Sequence, residues 1–317
     1  MIRYATREKT IVGLIFAAIT VFIWGVTFVS TKYLLRSFSP LEILIGRFMA
    51  AYIGLWILRP RTLHLARRRD EILFMLAGLS GITVYQFMEN VAISFTSASN
   101  VSIIVSICPI FTAIIAQIFL KEKHLKPFFL LGFAIAITGI AFVSFNGAVV
   151  LKVSPKGDLL ALGAAISWGF YSLFVSKINA LGLDSIQATR RMFFWALLFM
   201  LPLALYGLFK NDPASAAYIV RDAVANAERW KNPLNWLNLL YLGWGASAFC
   251  FAAWNIACDR LGTVRATVGI YLIPVVTIIF AFFALGERIS LMGAIGAALT
   301  IAGLFISEKE PRNTCDN

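Results

Sequence analysis

Charge is what this chain has least of. Asp, Glu, Lys and Arg together make up 14% of its 317 residues. A soluble domain of this length needs far more polar surface to cover its core. Cysteine is also scarce: Cys108, Cys250, Cys258 and Cys315 are scattered, in neither a disulfide framework nor a zinc pattern. They are expected to be small apolar packing residues. The only histidines, His64 and His124, fall between apolar runs. The chain has no G-x-x-x-x-G-K-[ST] phosphate loop, no H-E-x-x-H and no G-x-S-x-G. No Ser–His or paired-carboxylate arrangement lies inside the apolar runs. An ATP-driven pump within this chain is therefore unsupported, and no cofactor or metal is implied. An intramembrane enzyme and a non-transporting membrane sensor stay as alternative readings.

What fills the chain instead is apolar residues, at 60%, with a mean hydropathy of +0.81. A spanning helix needs about 20 mostly apolar residues. Ten such segments can be read, at 11–31, 41–58, 71–92, 97–119, 127–146, 157–177, 186–209, 237–258, 263–285 and 291–307. They leave no room for a soluble catalytic domain. The charged N-terminus resembles a signal peptide, but its apolar run is too long and no small-x-small cleavage site follows. It is expected to be the first span.

The net charge of +12 raises the possibility of a nucleic-acid partner, and its placement argues against one. With the N-terminus inside, 16 Lys and Arg residues fall on the cytoplasmic side and 9 outside. That bias predicts a multi-pass protein of the cell (inner) membrane with both termini cytoplasmic. The Arg67-Arg68-Arg69 cluster becomes a topology determinant facing anionic lipid heads.

Laid on itself, the chain repeats. Trp24-Gly25 recurs as Trp168-Gly169, and Arg47 falls on Arg191, both at an offset of 144. Asn90 matches Asn255, Pro109 matches Pro274 and Glu122 matches Glu287 at an offset of 165, while Gly132 and Gly139 match Gly296 and Gly303 at 164. The extra 21 residues sit in a polar segment at 211–236, either an external surface helix or a long loop. Five spans per half is an odd number, so the second half enters the membrane from the opposite side. The expected fold is an all-α integral membrane protein. Its two inverted five-helix repeats, 1–150 and 151–309, surround a central cavity. Inverted repeats place a site near the midplane between two half-gates.

WGVTFVSTKYL, SPLEILIGRFMAA, ENVAISFTSASNVSIIVSICPIFTAIIAQIFLKEK and WNIACDRLGTVRATVGIYLIPVVTIIFAFFALGER resemble an EamA-type member of the drug/metabolite transporter superfamily. The resemblance covers nearly the whole chain. It implies ten helices, five plus five, around a central cavity, and export of metabolites or drugs. The expected function is a secondary transporter exporting small organic solutes by alternating access, with protons as a candidate coupling ion. Its partners are then a small-molecule substrate and the bilayer, with the oligomeric state left open.

The candidate substrate-binding residues follow from spacing and symmetry. Trp24, Thr27, Phe28 and Thr31 run i, i+3, i+4, i+7 and share one helical face. Trp168 and Tyr171 occupy the matching positions in the sixth segment. Both tryptophans lie mid-span, where they either line a cavity or pack between helices. Glu89 and Asn90 form a polar pair in the third segment. A carboxylate inside a span costs about 2.5–3.5 kcal/mol at the centre and tends to be functional. The symmetry mate of Glu89 is Trp254, whereas Asn90 repeats as Asn255, so the amide looks structural and the carboxylate unique. Proton coupling, amine binding, a rim salt bridge and a solvated helix end are all open to Glu89. Tyr85 and Tyr271 complete the candidate set. Pro109 and Pro274, near the centres of segments four and nine, are candidate gating kinks, each freeing the carbonyl four residues earlier, Val105 or Ile270. Arg47 and Arg191 can grip a carboxylate bidentately, but their presence in both halves favours a structural role. Glu42 is expected to pair across helices. Glu122 and Glu287 are expected to hold the gate architecture or cap a neighbouring helix.

Overall fold

Helix starts repeat one local chemistry. Ser39 accepts the Glu42 N–H at 3.2 Å while Glu42 Oε2 accepts the Ser39 N–H at 2.7 Å, a capping box followed by Pro40. Ser154-Pro155 and Asn232-Pro233 place a side-chain cap and a proline at the same two positions. Asp184 Oδ1 accepts the N–H groups of Ile186 at 3.1 Å and Gln187 at 3.0 Å. These caps satisfy donors that a helix entering a membrane cannot leave bare.

The computed structural model describes residues 2–95, 98–121, 124–145, 154–209, 218–219, 227–285 and 291–307. All regular structure among them is helical. In chain order it comprises α1 (Ile2–Leu34), α2 (Pro40–Leu58), α3 (Arg68–Phe95), α4 (Ala98–Val105), α5 (Cys108–Phe119) and α6 (Pro127–Phe145). There follow α7 (Pro155–Asn179), α8 (Ser185–Phe209), α9 (Pro233–Leu261), α10 (Thr263–Val268), α11 (Ile273–Leu285) and α12 (Leu291–Ser307). Within the described residues six helices, in α1, α2, α3, α7, α8 and α9, are long and apolar enough to cross a membrane, and the other apolar helices are shorter. Glu122 and Glu287 lie outside the described residues, as does most of 211–236.

Two expected single helices are broken, each just before its proline. α4 stops at Val105, and Ser106 and Ile107 form a tight turn before Cys108-Pro109 opens α5. A 3₁₀ stretch, Gly269–Leu272, joins α10 to α11, whose second residue is Pro274. The carbonyl of Ile270, which Pro274 cannot serve, accepts the N–H of Ile273 instead. The lost bond is thus replaced locally by a tighter turn.

Packing is reciprocal between the first and second halves. α1 lies against α9 and α11, and α7 lies against α3 and α5. α2 packs on a π-helical stretch of α9, Tyr241–Phe249, and α8 packs on the matching stretch of α3, Gly78–Val84. α6 and α12 pair with each other through Gly132, Gly139, Gly296 and Gly303. A Cβ on Gly303 would sit 2.6 Å from the Gly132 carbonyl oxygen, and one on Gly139 would sit 2.6 Å from that of Gly296. Only glycine permits such backbone contact.

The repeated Trp-Gly also has a packing reason. A Cβ on Gly25 would lie 2.6 Å from Val276 Cγ1 on α11, and one on Gly169 would lie 2.8 Å from Ile115 Cδ1 and 3.1 Å from the Phe111 carbonyl carbon on α5. In both halves the glycine seats the helix that follows the proline break. Its neighbouring tryptophan then turns to the molecular centre.

Candidate functional site

Four helices bring their aromatics to that centre. The rings of Trp24 (α1) and Trp168 (α7) meet edge to face at 5.4 Å. Trp254 (α9) lies 5.1 Å from Trp24, and Tyr85 (α3) lies 5.0 Å from Trp168. Edge-to-face and tilted pairs suit the ring quadrupoles and build a rigid wall. Beside this wall is a cavity of about 30 Å³, room for only a water or two.

Seven of the candidate residues read from spacing and symmetry line that cavity together: Trp24, Thr27, Phe28, Thr31, Tyr85, Glu89 and Trp168. Trp254 and Tyr171 are fully buried behind it as part of the aromatic cluster. Asn90 and Asn255 bind helices instead. Asn90 Nδ2 donates to the Pro40 carbonyl at 3.3 Å, and Asn255 Nδ2 donates to Thr189 Oγ1 at 2.8 Å. Each thus ties its helix to the start of α2 or α8, and neither candidate is in the described lining of the cavity. Tyr271 lies in a separate apolar cluster with Phe129, Phe133 and Ile140. Pro109 and Pro274 lie at the helix breaks, off the cavity lining.

Arg47 and Gln86 line the cavity as well. Arg47 is 3% exposed; its Nε donates to Ser247 Oγ at 2.9 Å and its Nη1 to Gln86 Oε1 at 2.9 Å. Neutral acceptors hold the guanidinium in place while leaving its charge. Glu89 is hydrogen-bonded by Tyr85, one turn earlier on α3. Arg47 and Glu89 form no direct ion pair among the described residues, so the site offers both a cation and a carboxylate to a ligand. Gln86 carried no signal in the sequence, because its symmetry mate is Phe251.

Arg191 has the structural role its repetition suggested. It makes a two-pronged ion pair with Glu71 and donates to the Leu63 carbonyl at 3.0 Å. Trp195 Nε1 donates to the same carboxylate. Its neighbour Arg190 donates to the carbonyls of Arg59 and Arg61.

The two central tryptophans are not equivalent. Trp24 Nε1 donates to the Ala246 carbonyl at 2.9 Å, whereas Trp168 Nε1 is buried without a partner among the described residues. Trp24→Phe is therefore expected to lower stability by about 1 kcal/mol more than Trp168→Phe. Thermal unfolding of both variants in one detergent measures this, and equal midpoints would contradict it.

The family model described as the EamA-like transporter family matches residues 11–145 and again 155–308. An uncharacterized transporter of Archaeoglobus fulgidus is 27% identical over 294 residues, covering 92% of this chain and 95% of that protein. A "probable terminal-alkyne amino-acid exporter" of Streptantibioticus cattleyicolor is 26% identical, covering 91% and 90%. A "probable amino-acid metabolite efflux pump" of Salmonella typhimurium is 28% identical, covering 92% and 93%. A crystal structure superposes with a TM-score of 0.68 at 18% identity, covering 95% of this chain and 96% of the other, which shows a shared fold.

Proposed function

The chain belongs to the EamA-like transporter family, and on that premise we propose that it exports small zwitterionic solutes, amino acids and their derivatives. One observation carries the substrate class. Arg47 and Glu89 line the same cavity without a direct ion pair between them, within walls of Trp24, Phe28, Tyr85 and Trp168. A guanidinium grips a carboxylate and a carboxylate receives an ammonium, while the aromatic walls accept an apolar side chain. The names of two relatives, an amino-acid exporter and an amino-acid metabolite efflux pump, agree with that class and with the outward direction.

The proposed architecture is ten spans in two inverted repeats, 1–150 and 151–309, with both termini cytoplasmic in the inner membrane. Reciprocal packing of α1 on α9 and α7 on α3 supports the inversion, as do the two separate family matches. The cavity, about 30 Å³, is too small for an amino acid, as a closed state of such a cycle would be. Alternating access then requires its walls to part toward either side. The breaks before Pro109 and Pro274 are the natural flex points, because helices pivot where their hydrogen-bond ladder is already interrupted.

Counterflow in proteoliposomes tests the reading with three solute sets: zwitterions, their methyl esters, and simple carboxylic acids. Zwitterions are expected to exchange fastest. Arg47→Gln is expected to raise KM for carboxylate-bearing solutes roughly 10- to 100-fold, the equivalent of about 1.5–3 kcal/mol for a charged hydrogen bond. The esters should be barely affected. An equal loss for acids and esters would remove Arg47 from the binding site.

A further inference from the structure

A second concavity lies away from the central site. It is a crevice of about 660 Å³ at the membrane end where α2 finishes and α3 and α8 begin. Trp56, Phe194 and Trp195 are among its walls, and Arg68, Arg190 and Arg191 bring charge to it. Of these cations only Arg191 is neutralised, by Glu71. Arg190 uses its donors on backbone carbonyls and lies 3.7 Å from the centroid of the Trp56 ring; the carboxylate that acts on it, Asp184, makes its salt bridge to Arg59 instead. Arg68 is exposed and has no acidic partner among the described residues. The adjoining stretch 59–71, RPRTLHLARRRDE, holds five arginines against two acids; Glu71 is taken by Arg191, and Arg59 pairs with Asp184.

The crevice also meets the surface that a bilayer covers. Phe194 in its wall is 47% exposed, and Leu198, Leu201 and Leu205 continue from it at 43%, 50% and 43%. Their spacing of four, three and four residues makes one stripe down α8. Excess positive charge in an aromatic-walled hollow, continuous with an apolar stripe, is the complement of a molecule with an anionic head and a hydrocarbon tail.

We propose that this crevice seats the headgroup phosphate of an anionic phospholipid, with one acyl chain along the stripe from Phe194 to Leu205. Arg190, buried and stacked on Trp56, adds its charge beneath the head site, and exposed Arg68 supplies the hydrogen-bonding rim. A soluble phosphate ester would use the head site alone and gain nothing from the stripe. The proposal is independent of what the central cavity transports.

Native mass spectrometry of the full chain in detergent tests it, with dioleoylphosphatidylglycerol and dioleoylphosphatidylcholine as competing probes. The phosphatidylglycerol is expected to be retained at least fivefold over the phosphatidylcholine. Arg68→Gln should lower that preference about fivefold, as expected for one cation near an anionic lipid. Arg68 makes no bond whose loss threatens folding. Lys156→Gln, at the exposed start of α7, should leave the preference unchanged. Millimolar glycerol phosphate should fail to displace the lipid. The proposal is overturned by equal retention of the two lipids or by equal effects of the two substitutions. Displacement by glycerol phosphate would equally overturn it, by marking a site for soluble anions.

Discussion

Glu42→Ala is expected to destabilise the protein by about 3–5 kcal/mol, the usual cost of stripping a buried ion of its partner. Glu42 closes the capping box of α2 and also receives Arg229 on both oxygens, at 3.1 and 2.9 Å. The Arg229 side chain is 5% exposed, lies 4.8 Å from the Phe38 ring centroid, and already has a buried Nε without a partner among the described residues. Without Glu42 its charge would be left with only the Ser37 carbonyl, 3.3 Å away. Arg229→Met should be milder, because Glu42 would keep the Ser39 N–H and an apolar chain could replace the stacked stem. The pair also pins the Ala227–Lys231 turn to the start of α2, where Ser39 Oγ separately donates to the Ile219 carbonyl at 2.7 Å. Unfolding midpoints of the two variants and their double substitution measure the coupling. A Glu42→Ala loss below 1 kcal/mol would mean the latch is a surface contact.

Much of this arrangement is legible because the chain states it twice. The offset that matches Trp24-Gly25 to Trp168-Gly169 picks out two residues that meet at the molecular centre, while the paired asparagines, candidates for substrate binding as well as for a structural amide role, hydrogen-bond to neighbouring helices. Glu42 was expected to pair across helices, and it does, but its partner lies in the segment with no counterpart in the first half. Symmetry cannot identify such a residue. Arg47 and Arg191 show the opposite limit. Equivalent in sequence, one lines the cavity and the other pairs with Glu71, because their environments are set by residues that differ between halves: Gln86 and Ser247 face one, Glu71 and Trp195 the other. Tyr271 was misread as a cavity residue for a local reason. It sits in the 3₁₀ turn before Pro274, where a 3.0-residue period replaces 3.6 and turns the side chain toward α6. The π-helical stretches in α3 and α9 had no signal beyond their glycines.

Glu89→Gln is expected to abolish accumulation driven by a pH gradient while solute exchange continues. The reasoning starts from cost. Glu89 is 8% exposed in α3, and the equivalent position in the second half is occupied by Trp254, so the fold does not need an acid there. A carboxylate inside a long apolar helix points to work on a charge. Under the proposed substrate class its ligands are an ammonium group and a proton, which compete for the same oxygens. A proton arriving from outside would release the solute there, and a solute arriving from inside would release the proton there, giving antiport of one for the other. Gln can accept a hydrogen bond from an ammonium group but cannot carry the proton. KM for amine-bearing solutes should therefore rise, the exchange rate at saturation should persist, and sensitivity to an imposed pH gradient should vanish. Glu89→Asp should restore part of that sensitivity. Proteoliposomes with and without a protonophore separate the two activities. Gradient-driven accumulation that survives in Glu89→Gln would sink the mechanism, because among the described lining of the cavity Glu89 is the only carboxylate available to exchange a proton for an amine.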